Sequence, residues 1–102
     1  MKVVFLPAAE HDLAEVYAYI KDDLQNPIAA RNIAAKILYR SQSLATFPEM
    51  GASLEAVDHR LAGYQYLLVG NYLITYKADA LRVSIVRILY ARSDYVQLLQ
   101  GW

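Results

Sequence analysis

Three runs rich in β-branched and aromatic residues, close to the carboxyl end, restrict the possible folds most. The runs are Gln65–Val69, Tyr72–Lys77 and Leu81–Tyr90, and only Gly70-Asn71 and Ala78-Asp79-Ala80 separate them. Connections this short join strands that are neighbours and antiparallel, and glycine, asparagine and aspartate favour the tight turns. The sequence therefore predicts an antiparallel β-meander.

The third run is apolar at most of its positions. With strict alternation, one face holds Leu81, Val83, Ile85, Arg87 and Leu89, and the other holds Arg82, Ser84, Val86, Ile88 and Tyr90. Both faces are then largely apolar, which predicts a central strand of the sheet.

The amino half has the pattern of a strand followed by two helices. Val3–Leu6 is a short apolar run of strand type, and Pro7 ends it and suits the first turn of a helix. Apolar residues then recur at helical spacing, which predicts a helix over residues 8–24. Asn26-Pro27, a capping residue followed by proline, predicts the start of a second helix that ends before Phe47-Pro48. The short connection predicts an antiparallel helical hairpin.

Two further segments complete the chain. Residues 48–63 contain a proline and two glycines and lack periodicity, so we expect a loop or an edge segment. Ser93 and Asp94 suit the cap of a short terminal helix or tail. The expected fold class is α+β, with an amino-terminal strand and an α-helical hairpin packed on an antiparallel β-sheet, in one domain over residues 1–102.

Composition excludes several classes of function. The chain has no cysteine, and His11 and His59 lack a neighbouring ligand set, so we expect no disulfide, no metal site and no cofactor. The apolar start before Pro7 is too short for a signal peptide, and no segment approaches membrane-spanning length. We therefore expect a cytoplasmic protein that does not contact the membrane.

Positive charge is concentrated in the second half, although the formal net charge is zero. Residues 59–92 carry five arginines and lysines against Asp79 alone, a balance of +4, whereas residues 1–50 carry five cations and six carboxylates, or −1. A neutral chain does not hold bare nucleic acid through its overall charge, so any such contact depends on a local cluster.

A characteristic set of residues follows this order of elements. It comprises Phe5-Leu6-Pro7-Ala8-Ala9-Glu10, Asn26-Pro27, Phe47-Pro48, Gly63-Tyr64, Val69–Ile74 and Val86–Tyr95. Together they resemble the RelE/ParE superfamily of toxins from bacterial type II toxin–antitoxin systems, over residues 3–99. The resemblance implies a growth-arresting toxin, a cognate antitoxin as partner, and a dimer or a hetero-oligomer with that antitoxin.

The branches of this superfamily imply different targets. The RelE branch cleaves messenger RNA on the ribosome, and the ParE branch poisons DNA gyrase, so the resemblance leaves the chemistry open. The basic second half slightly favours a ribosome-dependent messenger-RNA endoribonuclease. A gyrase inhibitor without catalytic activity, favoured by the zero net charge, and a degenerate toxin that only binds antitoxin are the alternatives.

An endoribonuclease needs a base, an acid and positive charge beside the scissile phosphate. By the resemblance, the catalytic candidates are Arg92, Arg87, Tyr90 and Tyr95, and the candidates for substrate binding are Arg60, Lys77 and Arg82. Each has a second interpretation. Arg92 equally suits an antitoxin contact, Arg87 on an apolar face slightly favours a buried pair with an acid, and the others suit ordinary packing or solvated charge.

Two departures from the family pattern bear on nuclease activity. Gln65 stands where many relatives carry an arginine that supports the phosphate, and Tyr90 stands where many carry a histidine. If the chain is catalytic, it must therefore use arginine and tyrosine without a histidine–glutamate pair.

Overall fold

The computed structural model describes residues 1–99 as a five-stranded sheet with a helical hairpin on one face. The strands are β1 (Lys2–Phe5), β2 (Ala52–Ser53), β3 (Gln65–Val69), β4 (Tyr72–Ala78) and β5 (Arg82–Tyr90). Their order is β1-β5-β4-β3-β2, in which β1 runs parallel to β5 and the other neighbours are antiparallel. The predicted α+β class, the meander and the central position of β5 are confirmed.

The helices begin close to the predicted residues. Helix α1 (Pro7–Ala18) continues into a π-helical turn, Tyr19–Asp23. The Asn26 side chain accepts a hydrogen bond of 3.1 Å from the Ala29 backbone amide, and α2 (Pro27–Ser43) follows this cap, as predicted. None of the helices within residues 1–99 is long and apolar enough to cross a membrane.

The less regular segments cover the face of the sheet away from the helices. Between α2 and β3 the chain forms strand β2 and two 3-10 turns, Leu54–Ala56 and His59–Leu61. Helix α3 (Tyr95–Leu99) follows β5, which confirms the predicted short terminal helix. The predicted loop or edge segment thus contains the edge strand β2.

The sheet separates two apolar cores. Under the hairpin the buried residues are Ala9, Ile37, Leu44, Leu67, Val69, Ile74, Tyr76, Val83, Ile85 and Ile88. On the opposite face they are Leu54, Leu61, Tyr64, Val86, Leu89 and Leu99. Because both faces are covered over much of the sheet, its central strands are apolar on both sides.

A β-bulge interrupts β5 where it pairs with β4. Thr75 lies opposite Arg87, whereas the next residue, Tyr76, lies opposite Ile85, so Val86 is an extra residue on β5. The Thr75 hydroxyl donates to the Arg87 carbonyl at 3.0 Å and accepts from the Arg87 amide at 3.1 Å. A buried side chain thereby provides hydrogen bonds at the point where the regular ladder is disrupted.

The bulge overturns the predicted alternation along β5. Ile88 packs with Ile85 under the helices, and Leu89 packs with Val86 on the opposite face. The prediction that Leu89 shares a face with Ile85 is wrong, because one extra residue reverses every side chain that follows it.

Candidate functional site

A groove opens beside the helical hairpin, between α1 with its π-helical turn, α2 and the adjoining ends of β4 and β5. Its volume is about 830 Å³. Apolar side chains lining it include Val16, Ile20, Leu24, Ile33, Tyr72 and Ile88, and polar ones include Glu15, Asn32, Lys36 and Asn71. An apolar lining with polar groups at its margin is the arrangement that an amphipathic segment recognises.

Tyrosines form one end of this groove. The Tyr72 and Tyr90 rings meet edge to face with their centroids 6.0 Å apart, and Tyr19 also lines the groove. Burial raises the pKa of the Tyr72 hydroxyl, and proximity to Tyr19 and Tyr90 raises it further. Tyr72 is therefore neutral at physiological pH and retains its proton for hydrogen bonding.

Asp12, which lines the groove, forms an ion pair with Arg87. The Arg87 Nε atom is 2.6 Å from Asp12 Oδ2, and its Nη2 atom is 2.9 Å from Oδ1. Asp12 Oδ2 also accepts a 3.0 Å hydrogen bond from the Ile88 backbone amide. Strand β1 pairs with β5 only as far as Ile85, so the carboxylate occupies an edge position where the neighbouring strand has ended.

The ion pair agrees with the structural interpretation of Arg87. The hydrogen bond to Asp12 raises the pKa of the guanidinium, although desolvation opposes this rise. With its side chain 20% exposed, Arg87 is mostly withdrawn from solvent. A guanidinium held in this way supports the structure of β5, as expected for a partly buried arginine paired with an acid.

The other catalytic candidates lie in different places. Tyr90 lines the groove on the helical side of the sheet, whereas Tyr95 of α3 packs against the core on the opposite side. Arg92 is exposed in the turn that follows β5. The bulge places Tyr90 on the helical side, so the sheet separates it from Tyr95.

The candidates for substrate binding lie away from the groove. The Lys77 ammonium is 4.2 Å from the centre of the Tyr64 ring, on the face opposite the hairpin, and Arg82 is exposed at the start of β5. Arg60 forms a 2.6 Å ion pair with Asp58, whose pKa that hydrogen bond holds well below its usual range. Arg60 is thus engaged by the acid beside it in the chain.

Gln65 lies on the helical side of the sheet. It pairs with Tyr76, a residue of the core under the helices, whereas Lys77 occupies the other face. An arginine at position 65 would also lie on the helical side. The absence of an arginine at position 65 therefore does not change the charge around Lys77 and Arg82, which lie on the other face.

Sequence reasoning did not identify Asp12 as the partner of Arg87, or Thr75 as the residue that supports the bulge. Asp12 and Arg87 are 75 positions apart, and no local pattern connects them.

Among residues 1–99 there is no group of three or more histidine, aspartate or glutamate side chains placed to hold a metal ion.

Comparison with known proteins identifies a family and shows similarity to solved structures. Residues 3–95 match the family model described as the ParE toxin of the type II toxin–antitoxin system parDE. A solved structure described as the chromosomal ParDE TA system from P. aeruginosa aligns with a TM-score of 0.75 at 18% identity, over 90% of this chain and 97% of that chain. At this identity the alignment shows a common fold. No curated protein matches the chain.

Proposed function

We propose that this chain, which belongs to the ParE toxin family of type II toxin–antitoxin systems, arrests growth by binding DNA gyrase and catalyses no reaction. The family match favours this activity over the endoribonuclease that the charge pattern slightly favoured. Antitoxin and gyrase are then its partners, and both belong to the cytoplasm, where we expected the protein.

The separation of the catalytic candidates is the observation that carries the proposal. General acid–base catalysis requires groups within hydrogen-bonding reach of one scissile phosphate. Arg87 is held by Asp12, and Tyr90 and Tyr95 lie on opposite sides of the sheet. An inhibitor that acts by binding needs no such convergence.

The groove beside the hairpin is the proposed site for the antitoxin. Leu24 is 56% exposed and Tyr19 is 50% exposed at its margin, so large apolar side chains face solvent there. Exposed apolar surface of this kind commonly marks a protein–protein interface. An amphipathic segment of the antitoxin would cover these side chains, with its polar face toward Glu15 and Lys36.

Purified gyrase, relaxed plasmid and ATP test the proposed target. The toxin is expected to cause gyrase-dependent accumulation of linear plasmid after protein denaturation, and neither the toxin nor gyrase alone should do so. Unchanged supercoiling over all toxin concentrations would count against gyrase as the target. Induction in cells without antitoxin provides a separate check, because unimpaired growth would indicate a degenerate toxin.

A further inference from the structure

Three cations lie on neighbouring strands at the face of the sheet away from the hairpin. They are Lys2 of β1, Arg82 of β5 and Lys77 of β4, called here the basic strip. Lys2 is in register with Arg82, and Lys77 is in register with Ser84, two residues further along β5. Side chains so placed are about 5 Å apart across the strands and about 7–8 Å apart on the diagonal.

The side of the sheet follows from the neighbouring residues. Val3 and Val83, next to Lys2 and Arg82, pack into the core under the helices, so the two cations lie on the other face. Lys77 contacts Tyr64, which belongs to the core of that other face. All three members of the basic strip are exposed to solvent.

No carboxylate forms an ion pair with the basic strip in the part of the chain that the structure describes. Asp79 is close in sequence. Its Oδ1 atom accepts hydrogen bonds from the Leu81 and Arg82 backbone amides at 2.8 and 3.0 Å, and the positive charge of Arg82 also helps to lower the Asp79 pKa. Asp79 thus offsets part of the charge of Arg82 only. Adjacent like charges destabilise a sheet, so an anionic ligand would offset the repulsion that remains among the three cations.

Charge on the helical hairpin is mixed. Helix α1 and its π-helical turn carry Glu10, Asp12, Glu15, Asp22 and Asp23 against Lys21, whereas α2 carries Arg31, Lys36 and Arg40 and no acid. The basic strip differs from the hairpin because its three cations lie on neighbouring strands of one face. An anionic polymer is attracted to such a local cluster although the chain as a whole is neutral.

The surface around the strip fits a duplex backbone better than a single strand. Single-stranded nucleic acids bind largely by stacking their bases on exposed aromatic rings. Tyr64 is only 5% exposed, and Tyr66 and Tyr95 pack against the same core. The strip instead offers cations and the Ser84 hydroxyl, which are groups that bind phosphate oxygens.

We infer that the basic strip is a binding site for the phosphate backbone of duplex DNA. Such contacts carry no sequence information and supply positioning and salt-dependent affinity. The biological setting rests on the proposed function, because gyrase holds duplex DNA and a toxin bound there would meet it. The binding site itself is a property of this chain and can be measured without gyrase.

Fluorescence anisotropy of a short labelled duplex, titrated with the full chain at increasing salt, tests the inference. Contact of Lys2, Lys77 and Arg82 with phosphates predicts a slope of log K against log salt of about −2.7, since each contact contributes about −0.9. Lys77→Ala and Arg82→Ala should each reduce the magnitude of the slope by about 0.9. Arg31→Ala, an exposed cation of α2, is the matched control and should leave the slope unchanged.

The inference fails if the duplex does not bind at low salt, or if Arg31→Ala weakens binding as much as the strip variants do. Tighter binding of a single-stranded RNA of equal length would also overturn it. Thermal unfolding of each variant separates lost binding from lost folding, and Arg82→Ala leaves the Lys77–Tyr64 contact intact. Gyrase poisoning without DNA binding would reject this site alone, and DNA binding without gyrase poisoning would reject only the proposed function.

Discussion

Arg87 and Asp12 form a bidentate ion pair that joins β5 to α1, with N–O distances of 2.6 and 2.9 Å. Asp12 is 7% exposed, and its carboxylate also accepts a hydrogen bond from the Ile88 amide. One acid thus fixes the edge of β5 just beyond the end of β1. Asp12 also lines the groove proposed for the antitoxin, so the ion pair fixes one of the side chains that shape that groove.

Asp12→Ala should destabilise the protein by about 3–5 kcal/mol, because it leaves a mostly buried guanidinium without its partner. Urea unfolding followed by circular dichroism measures this free energy. His11→Ala is the control: it breaks an ion pair with Glu15 whose side chains are 72% and 68% exposed, and we expect a change below about 1 kcal/mol. Equal losses in the two variants would contradict the structural role of Asp12.

Acidification should lower stability through Asp79. Hydrogen bonds from the Leu81 and Arg82 amides hold the pKa of Asp79 below its ordinary value of 3.8 in the folded state. A group with a depressed folded pKa contributes its stability above the unfolded pKa and loses it as the pH falls through the folded value. The urea midpoint should therefore decline below about pH 4, the ordinary range for an aspartate.

Asp79→Asn isolates this contribution. The amide oxygen can still accept backbone hydrogen bonds but does not titrate, so the midpoint of the variant should fall less steeply between pH 5 and pH 2. Parallel pH profiles for the variant and the native chain would show that Asp79 does not contribute.

Gly51→Ala should be destabilising by about 1–3 kcal/mol, the usual cost of overpacking. An added Cβ would overlap the Tyr76 hydroxyl and the Tyr66 carbonyl oxygen. The Tyr76 hydroxyl donates to the Pro48 carbonyl at 3.0 Å and accepts from the Gly51 amide at 2.9 Å.

Thermal unfolding of Gly51→Ala, Tyr76→Phe and the double variant measures the coupling at this site. If the steric conflict is with the hydroxyl, the double variant should lose less than the sum of the single losses. Strictly additive losses would show that the steric conflict does not involve the Tyr76 hydroxyl.

Leu24→Glu should abolish neutralisation by the cognate antitoxin while toxicity is retained. Leu24 lines the groove and is 56% exposed, so the charge is tolerated in the free toxin but is buried on binding. Leu81→Glu is the matched control, because Leu81 is 83% exposed in the β4–β5 turn, away from the groove. Co-expression with the antitoxin should rescue growth for Leu81→Glu only. Rescue of both variants would show that the antitoxin does not bind in the groove.

Local signals were sufficient for most of the fold. Asn26-Pro27 specifies the start of α2 through a cap that depends only on adjacent residues, and Gly70-Asn71 specifies a hairpin in the same way. The bulge at Val86 was missed because the Thr75 hydroxyl that supports it lies on another strand. Alternation alone cannot reveal an extra residue.

The candidate site depends on contacts between residues that are distant in sequence. Arg87 was expected to pair with an acid, but nothing near it in the chain identifies Asp12. The parallel pairing of β1 with β5, which brings Lys2 beside Arg82, joins the two ends of the chain and also has no local signal. The sequence shows which residues carry charge, but it does not show on which face of the sheet each one lies.

The most direct test of a toxin that acts by binding is its dose dependence on two purified targets. Toxin is titrated against a fixed amount of gyrase with plasmid, and in parallel against ribosomes translating a defined message. A binding inhibitor predicts plasmid cleavage that saturates when toxin and gyrase are equimolar, with the message intact at every dose. Cleaved message at substoichiometric toxin, with gyrase unaffected, would contradict the account.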